Sequence, residues 1–377
     1  MREIALVLLA AGEGRRFATS SNIQCKKQWL RVGALPLWCF VVRQFHALHH
    51  FGQTVVAISP QEVRYAQSFI DEAEVVGGGN TRQESLLNAL QKVDCEWVLV
   101  SDAARCCIDK KVLKAVLNAP LADCVVPFVS AHDTTYSSLF GYLPRESLKL
   151  IQTPQLCRKA TLLDALSAGE FGDESSAIYA HGGAVEFVAG SSNLHKLTTF
   201  QDLALLELPP PSGETLVGNG FDVHRFTEGD HLTICGVWIP FSHAFEAHSD
   251  GDVGIHALID ALLGAAGAGD IGQWFPDSDM QYANIDSALL LQQVLCFIRN
   301  VGFFIVNVDL TIIAQEPKIA PHKDRMRARL SSLLEIPAAK LNIKATTTEH
   351  LGFLGRCEGV AASCVATLQY ADWRQQK

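Results

Sequence analysis

A carboxylate and two imidazoles in the C-terminal half of the chain are spaced as a metal site requires. Asp222 and His224 lie two residues apart, so in an extended strand both side chains point to the same face. His256 follows at the start of a helix-like segment. Together they match a three-ligand Zn²⁺ site with an open fourth position. Spacing alone leaves three competing ligands: His248, Ser249 and Asp252.

The simpler interpretation of an isolated Asp-x-His pair is a capping carboxylate beside a core histidine. The added turn at 247–252 and His256 favour the metal site over that alternative.

A glycine- and arginine-rich loop follows the first apolar run. Residues 4–9 are apolar throughout, which predicts a strand covered on both faces in a parallel sheet. Residues 10–16 read AAGEGRR, and Lys26 and Lys27 follow. Glycines after a strand let backbone N–H groups approach a phosphate, and the cations add charge that a triphosphate needs. Such a turn is more often only a turn, but Phe17 in place of a third glycine favours a nucleoside triphosphate over a dinucleotide.

Alternating patterns predict the elements that position this loop. Strands are predicted at 54–59, 74–76 and 97–100, and helices at 37–46, 61–70 and 85–92. This alternation predicts an α/β fold with a parallel sheet, whose ligands lie beyond the carboxyl ends of the strands. Asp102 and the glycines 77–79 fall at that edge. Asp102 is either a helix N-cap or a ligand for a metal or phosphate.

The second half predicts further strands and helices around the metal residues. Helices are predicted at 257–264, 289–301 and 324–334, and strands at 306–314 and 341–345. Three threonines, 346–348, and Glu349 end the last of these strands. They suit phosphate contacts and a second divalent ion, although β-branched strand residues before a capping glutamate explain them equally well.

Composition excludes several classes of protein. The chain has 377 residues, of which 48% are hydrophobic and 19% charged, as expected of two or three globular domains. A net charge of -9 argues against nucleic-acid binding. Eleven scattered cysteines without a C-x-x-C pair fit reduced thiols, and no apolar run reaches transmembrane length. We therefore expect a cytoplasmic protein with no membrane or nucleic-acid partner.

Three consecutive prolines divide the chain. Residues 209–211 carry no backbone N–H, so neither a helix nor a central strand can run through them. The chemistry also changes here, from a Gly/Arg loop to an Asp/His-rich segment. The predicted domains are 1–207 and 216–377, joined by a linker at 208–215; a proline-rich surface loop within one domain is the alternative.

Eight motifs follow one another in residues 1–207. They are Ala10 to Arg16, Lys27-Gln28, Gly78 to Ser85, Asp102 to Arg105, Asp133-Thr134, Thr153 to Gln155, Asp173-Glu174 and Lys196 to Thr198. In this order they resemble the 2-C-methyl-D-erythritol 4-phosphate cytidylyltransferase family. The resemblance implies a Rossmann-like nucleotidyltransferase domain with a mostly parallel sheet. This domain would transfer CMP from CTP to methylerythritol phosphate and release pyrophosphate, with an Mg²⁺ or Mn²⁺ ion bound to CTP.

The same resemblance implies the roles of individual residues. Arg16 and Lys27 would stabilise charge on the α-phosphate, with Asp102 beside the ion and the ribose. CTP contacts are implied for Ala10, Ala11, Gly12, Gly14, Gly79, Asn80, Ser85 and Asp102. Methylerythritol phosphate contacts are implied for Arg105, Thr134, Arg145 and Lys196. Lys26 and Cys106 depart from the family, which usually has proline at both places.

Longer motifs fill residues 216–372. They include Gly220 to His224, Ala247 to Asp252, His256 to Gly264, Gly269 to Gly272, Phe275 to Asp277, Asn307 to Asp309, Thr311 to Gln315, Pro317-Lys318, Lys344 to Glu349 and Leu351 to Arg356. They resemble 2-C-methyl-D-erythritol 2,4-cyclodiphosphate synthase. The resemblance implies an α/β (α+β) domain that trimerises, with Arg356 and Glu358 at the trimer axis. A hexamer through N-terminal dimers is the alternative assembly.

For the second domain the resemblance implies Zn²⁺ on Asp222, His224 and His256, and a second ion, Mg²⁺ or Mn²⁺, on Glu349. The substrate 2-phosphate would attack the β-phosphorus of phosphorylated CDP-methylerythritol and expel CMP, with Thr347 as a catalytic residue. Substrate contacts are implied for His248, Ser249, Asp270, Gly272, Asp277, Ala314, Pro317, Lys318, Ala345, Thr346, Thr347, Thr348, Phe353 and Arg356. His350 stands where the family often has lysine.

These motifs predict a bifunctional enzyme of the methylerythritol phosphate route to isoprenoids. Two alternative functions are compatible with the same charged residues. One is a sugar-1-phosphate nucleotidyltransferase joined to a zinc hydrolase, which would accept UTP or GTP. The other is an inactive scaffold, which would have no need of zinc.

Overall fold

The computed structural model describes residues 3–20, 24–120, 122–247, 249–276, 278–282 and 285–375. The chain forms two compact units, Met1–Pro210 with Trp373–Lys377, and Pro211–Asp372. Within the described ranges, every helix is too short or too polar to cross a membrane.

The N-terminal unit follows the predicted alternation of strands and helices. Its strands are β1 (Ile4–Leu9), β2 (Arg31–Val32), β3 (Leu35–Pro36), β4 (Gln53–Ile58), β5 (Glu74–Gly77), β6 (Trp97–Asp102), β7 (Cys124–Ser130), β8 (Thr135–Ser137), β9 (Gly141–Leu143), β10 (Lys149–Ile151), β11 (Gln155–Arg158) and β12 (Val185–Ala189). Its helices are α1 (Arg15–Thr19), α2 (Leu37–Leu48), α3 (Val63–Gln67), α4 (Arg82–Leu90), α5 (Lys110–Asn118), α6 (Lys159–Ser167) and α7 (Glu174–Ala180). The helix predicted at 61–70 is shorter, because its first turn is a 3₁₀ turn, Pro60–Glu62.

The large sheet of this unit is mixed. Its strand order is β10-β7-β11-β6-β1-β4-β5, with β12 beside β7. The half formed by β6, β1, β4 and β5 is parallel, as predicted, and β1 is buried along its whole length. In contrast, β11 runs antiparallel to both β6 and β7. The strand β12 also runs parallel to β7, so the prediction of a mostly parallel sheet is confirmed, and β10 and β11 form its antiparallel pairs.

The C-terminal unit packs helices against a second sheet. Its strands are β13 (Thr215–Glu228), β14 (His231–Ile234), β15 (Val237–Pro240), β16 (His243–Phe245), β17 (Phe303–Ile313), β18 (Leu341–Thr346) and β19 (Gly359–Tyr370). Its helices are α8 (Val253–Ala266), α9 (Ile271–Trp274), α10 (Ser287–Asn300), α11 (Lys323–Leu334) and α12 (Gly352–Gly355). The sheet order is β16-β13-β19-β17-β18, with β17 and β18 parallel.

Helix α8 lies directly on the backbone of β13. A Cβ atom added at Gly218 or Gly220 would collide with backbone atoms of α8, so only glycine permits this approach. The next even-numbered residues of β13, Asp222 and His224, point to the same face. The backbone contact therefore brings the predicted metal ligands of the strand towards α8, which carries His256.

The opposite face of this sheet exposes four apolar side chains. Val217, Phe221, Val223 and Val365 lie on it, with 36% to 64% of each side chain accessible. β19 pairs with β13 so that Val365 lies opposite Asn219, which places all four residues on one face.

One residue near the C-terminus completes the N-terminal unit. Trp373 is buried in that unit, and its indole N–H donates to the Arg31 carbonyl at 2.9 Å. Arg31 lies in β2, directly after the segment that carries Lys27.

Candidate active sites

A cleft of about 680 Å³ opens at the carboxyl edge of the parallel strands in the N-terminal unit. The last residue of β1, Leu9, is in register with Ala57 of β4 and Asp102 of β6, so these strands end together. The cleft is lined by Leu9, Ala10, Ala11, Gly12, Glu13, Arg15, Lys27, Gln28, Leu37, Ser59, Pro60, Gln61, Gly78, Gly79, Asn80, Thr81, Arg82, Ser85, Asp102, Ala103, Ala104 and Lys196. Most of the predicted CTP contacts are thus brought into one cavity.

Two loops form the rim of the cleft. The Gln28 amide donates to the Gly12 carbonyl at 3.1 Å and holds the first loop. In the second loop, the Gly79 N–H donates to Ser85 Oγ at 3.0 Å. A Cβ atom at Gly78 would collide with Ala11, so the two loops touch only because residue 78 is glycine. Backbone and small side chains therefore line the predicted nucleotide site.

Asp102 lies between two cations on the floor of the cleft. The Arg82 Nε donates to Asp102 Oδ1 at 3.0 Å, and Lys196 Nζ donates to Oδ2 at 2.6 Å. Burial raises the pKa of Asp102, but the two cations outweigh burial and lower the pKa to about 2. The carboxylate is therefore ionised, and it is a partner of side-chain cations rather than a helix N-cap.

A buried glutamate fixes one of these cations. Glu174, at the first position of α7, is fully buried and accepts from Arg82 Nη1 at 2.7 Å and Nη2 at 3.2 Å. Arg82 thus uses two nitrogens on Glu174 and the third on Asp102. Burial lowers the pKa of Arg82, but these two carboxylates outweigh burial and raise the pKa above its ordinary value.

Lys27 is the cation whose charge depends most on pH. Its Nζ donates to the Leu197 carbonyl at 3.2 Å. Burial lowers the pKa of Lys27 to about 8; Lys196 and Arg16 act in the same direction, whereas Asp102 and Asp202 oppose it. A bound anion would favour the protonated form, so this lysine is suited to a phosphate group.

Four predicted catalytic residues lie outside the lining of the cleft. Arg16 is exposed on α1, although its charge lowers the pKa of Lys27. Arg105 donates to the carbonyls of Leu194 and Ile151. Thr134 is exposed beside β8, and Arg145 donates to the His132 carbonyl and to Glu146.

Three charged residues of this unit have partners that the sequence does not predict. Lys26, one of the departures from the family, pairs with the buried Glu62 at 2.9 Å, and Glu62 also accepts from the Trp29 indole at 2.6 Å. Arg82 and Glu174 lie in motifs of the cytidylyltransferase resemblance, but the resemblance implied no catalytic or binding role for either residue. The position of Glu174 at the start of a helix was the sequence feature from which a role for this carboxylate could have been predicted.

In the C-terminal unit, Asp222, His224 and His256 form a compact cluster. His224 Nε2 lies 3.0 Å from Asp222 Oδ2, His256 Nδ1 lies 3.1 Å from the same oxygen, and the two nitrogens are 3.2 Å apart. Tetrahedral ligands at zinc–ligand distances of 2.0–2.1 Å would be separated by about 3.3 Å. The donor set and its spacing therefore fit a zinc ion.

Hydrogen bonds link the predicted ligands to one another. Burial raises the pKa of Asp222, but hydrogen bonds to His224 and His256 outweigh it and hold the pKa well below its ordinary value. Two competing ligands proposed from spacing have other partners. Asp252 is buried and accepts from the Cys235 and Ile255 amides as the N-cap of α8, whereas Ser249 Oγ lies 3.3 Å from His256 Nε2.

The predicted phosphate contacts gather where β17 and β18 end together. Ile313 is in register with Thr346, and the Ala314 N–H donates to the Thr346 carbonyl at 3.0 Å. Thr347 Oγ1 donates to Glu349 Oε1 at 3.1 Å. The other predicted contacts of this edge are Ala345 at the end of β18, Pro317 and Lys318 after β17, and Thr348, whose hydroxyl donates to the Leu351 carbonyl.

The remaining described residues predicted to contact the cyclase substrate lie outside the edge where β17 and β18 end. Asp270 caps α9, which contains Gly272, and its carboxylate accepts from the Gln273 N–H. Phe353 lines a cavity of about 350 Å³ with His224 and Arg225, among other residues. His350, the third departure, approaches Gln315. Arg356 donates to Glu358 at 2.7 Å. His248 and Asp277 lie outside the described residues.

Comparison with known proteins assigns the chain to a family. A family model described as 2-C-methyl-D-erythritol 4-phosphate cytidylyltransferase matches residues 4–208, and one described as the YgbB family matches residues 215–369. The bifunctional enzyme IspD/IspF of Wolinella succinogenes is 51% identical over 99% of this chain and 98% of its own length. The chain belongs to the bifunctional IspD/IspF family.

Other IspD/IspF proteins show the same extent of similarity. The bifunctional enzyme of Campylobacter fetus is 48% identical and is covered over 99% of both chains. The solved structure of bifunctional IspDF from Campylobacter jejuni superimposes with a TM-score of 0.87 at 43% identity, covering 99% of this chain and 100% of that one.

As an IspD/IspF protein, the chain is an enzyme with two activities of the methylerythritol phosphate pathway. They are 2-C-methyl-D-erythritol 4-phosphate cytidylyltransferase and 2-C-methyl-D-erythritol 2,4-cyclodiphosphate synthase. The predicted bifunctional enzyme is confirmed, and the sugar-1-phosphate alternative is excluded.

Replacing Glu174 with glutamine should destabilise the N-terminal unit by about 3 kcal/mol, because it removes one partner of a buried ion pair. Calorimetric unfolding of the full chain should show this loss in one transition. Glu74→Gln is the matched control, since Glu74 and Lys92 form an exposed pair and should contribute less than about 1 kcal/mol. Equal effects of the two substitutions would contradict the role of Glu174.

Proposed function

We propose that the N-terminal cleft is the cytidylyltransferase site and binds CTP through its two glycine loops. The supporting observation is that Lys27, Lys196 and Asp102 share this cavity with both loops. Ala10, Ala11, Gly12 and Gly14 would contact CTP from one loop. Gly79, Asn80 and Ser85 would recognise the cytosine base from the other.

In the proposed reaction, a phosphate oxygen of methylerythritol phosphate attacks the α-phosphorus of CTP. The bond from the α-phosphorus to the pyrophosphate oxygen breaks, and pyrophosphate leaves. Lys27 and Arg16 stabilise the negative charge that develops, and Asp102 lies beside the ribose and a divalent ion, Mg²⁺ or Mn²⁺, that accompanies CTP. The substrate phosphate would be held by Arg105, Thr134, Arg145 and Lys196.

We propose that the cyclase site lies around Asp222, His224 and His256, and that these residues hold Zn²⁺. A zinc ion there would polarise the diphosphate as a Lewis acid. Glu349 would hold a second ion, Mg²⁺ or Mn²⁺. The substrate 2-phosphate attacks the β-phosphorus, and CMP leaves with the bridging oxygen.

The chain's own residues orient the cyclase substrate. The edge formed by Ala314, Pro317, Lys318, Ala345 and the threonines 346–348 offers hydroxyls, backbone groups and one cation to the cytidine phosphates. His248 and Ser249 would contact the 2-phosphate. Asp270, Gly272 and Asp277 would contact the methylerythritol hydroxyls, with Phe353 and Arg356 at the periphery.

Separate assays of the two reactions test whether each reaction takes place at its own site. Lys27→Ala should lower pyrophosphate release from CTP and methylerythritol phosphate at least 100-fold, because one cation at the α-phosphate is lost. CMP release from phosphorylated CDP-methylerythritol should persist. His256→Ala should have the opposite pattern, and EDTA should abolish both activities. A His256→Ala variant without zinc but with full cyclase activity would contradict the metal site.

The pKa of Lys27 predicts a pH dependence of the first reaction. Lys27 is charged below about pH 8 and loses its charge as the pH rises. The value of kcat/KM for CTP should therefore fall about tenfold per pH unit above that pKa. In Lys27→Arg the guanidinium stays charged, so this decline should disappear. A decline that is identical in both proteins would assign it to another group.

We propose that the C-terminal unit trimerises through the sheet face that exposes Val217, Phe221, Val223 and Val365, and that Arg356 and Glu358 line the trimer axis. Exposed contiguous apolar surface is typical of an interface. The N-terminal hairpin formed by β8 and β9 also exposes large apolar side chains, which supports an N-terminal dimer and hence a hexamer. They are Tyr136, Leu139, Phe140 and Tyr142.

Sedimentation velocity of the full chain tests the assembly. The expected mass is three times the 41.1 kDa of one chain, or six times if the hairpins also pair. Phe221→Lys should reduce the assembly to dimers or monomers, because a charge on the buried interface costs several kcal/mol. A monomeric wild-type protein would contradict the proposed trimer.

The proposed domains are the cytidylyltransferase at 1–207, a linker at 208–215 and the cyclodiphosphate synthase at 216–377, although Trp373 packs in the N-terminal unit. A cytoplasmic location remains a prediction, supported by eleven cysteines that are all free thiols.

A further inference from the structure

A buried serine holds the side of His256 that faces away from the metal cluster. The Nδ1 atom of His256 belongs to the cluster, whereas Nε2 lies 2.8 Å from Ser287 Oγ. Ser287 is fully buried at the first position of α10. Its hydroxyl donates to Asp250 Oδ1 at 2.5 Å. A chain of hydrogen bonds thus runs from carboxylate through hydroxyl to imidazole.

The number of available protons fixes the direction of this chain. A hydroxyl has one hydrogen, and a carboxylate oxygen can only accept. Because Ser287 gives its hydrogen to Asp250, its oxygen can only accept from His256, and Nε2 must carry the proton. With this proton fixed on Nε2, loss of the proton shared between Nδ1 and Asp222 leaves the lone pair of the neutral imidazole on Nδ1, which faces Asp222 and His224.

A second hydroxyl near Nε2 is less favourably placed. Ser249 Oγ lies 3.3 Å from Nε2, longer than the distance to Ser287, and it accepts from the Gly251 N–H at 3.2 Å. Ser249 has no carboxylate partner among the hydrogen bonds of the described residues. Ser287 is therefore the hydroxyl whose orientation is determined.

We propose that Ser287 and Asp250 are positioning residues that hold His256 in its Nε2–H tautomer and thereby raise the metal affinity of the cluster. This inference rests on the metal site proposed above. Without the pair, part of the His256 population would carry its proton on Nδ1 and would have to rearrange before it could bind an ion. Outer partners of metal-binding histidines typically contribute 10- to 100-fold in affinity.

The test is a zinc titration of the full chain against a chromogenic chelator at neutral pH. Ser287→Ala should bind Zn²⁺ 10- to 100-fold more weakly than the wild type. Asp250→Ala should also weaken binding, because the freed Ser287 hydroxyl can then donate to Nε2 and favour the wrong tautomer. The double variant should bind about as weakly as Ser287→Ala alone, since Asp250 acts through Ser287.

Ser331→Ala is the matched control, because Ser331 loses a hydroxyl that donates only to the Ile336 carbonyl in the described structure. Its zinc affinity should equal that of the wild type. If Ser287→Ala fails to fold, the comparison of Asp250→Ala with Ser331→Ala decides the matter. Unchanged affinity in folded Ser287→Ala or Asp250→Ala overturns the inference but leaves the metal site intact. A wild-type protein that binds no zinc overturns both.

Discussion

The cleft of the N-terminal unit depends on the pairing of Asp102 with two cations. A carboxylate on the floor of this cavity would repel the triphosphate proposed to bind there, unless its charge were balanced. Arg82 and Lys196 balance it, and Glu174 in turn balances Arg82. The protein carries a net charge of -9, so the local excess of cations around Lys27 and Lys196 is what makes the cleft suitable for a triphosphate.

In the C-terminal unit, the geometry of the predicted metal site depends on a backbone contact between β13 and α8. The predicted metal ligands lie on two elements, β13 and α8, and the distance between them is set by glycines that permit the helix to lie on the strand. No side chain can replace that contact, because the space it would need is occupied by the helix backbone. The ligand spacing that suits zinc is thus a consequence of packing.

Local patterns in the sequence were sufficient to predict many of the strands and helices of this structure. The buried strand β1, the helices α2 and α10 and the strands β17 and β18 follow from periodicity, with ends that differ by a few residues. Asp222 and His224 could be paired because two residues apart in a strand is a local relation. Which loops line the cleft followed from the rule that parallel strands end at one edge.

What the sequence did not reveal depends on contacts between distant residues. The antiparallel insertion of β11 between β6 and β7 has no periodic signal, since it concerns strand order and not strand existence. Arg82 and Glu174 are 92 residues apart, and the partner of Lys26 lies on another element. A charged residue in a buried setting needs a partner, but the sequence alone does not say which.

The position of Trp373 bears on how such fused enzymes can be taken apart. Because this residue fills part of the N-terminal unit, that unit is encoded by two separate stretches of the gene. A gene divided at the proline-rich linker would yield a first product that lacks one of its own core residues and a second product that ends in an uncovered indole. Exchange of the two halves at the linker would therefore leave the N-terminal unit without Trp373 and the C-terminal unit with an apolar side chain that it does not bury.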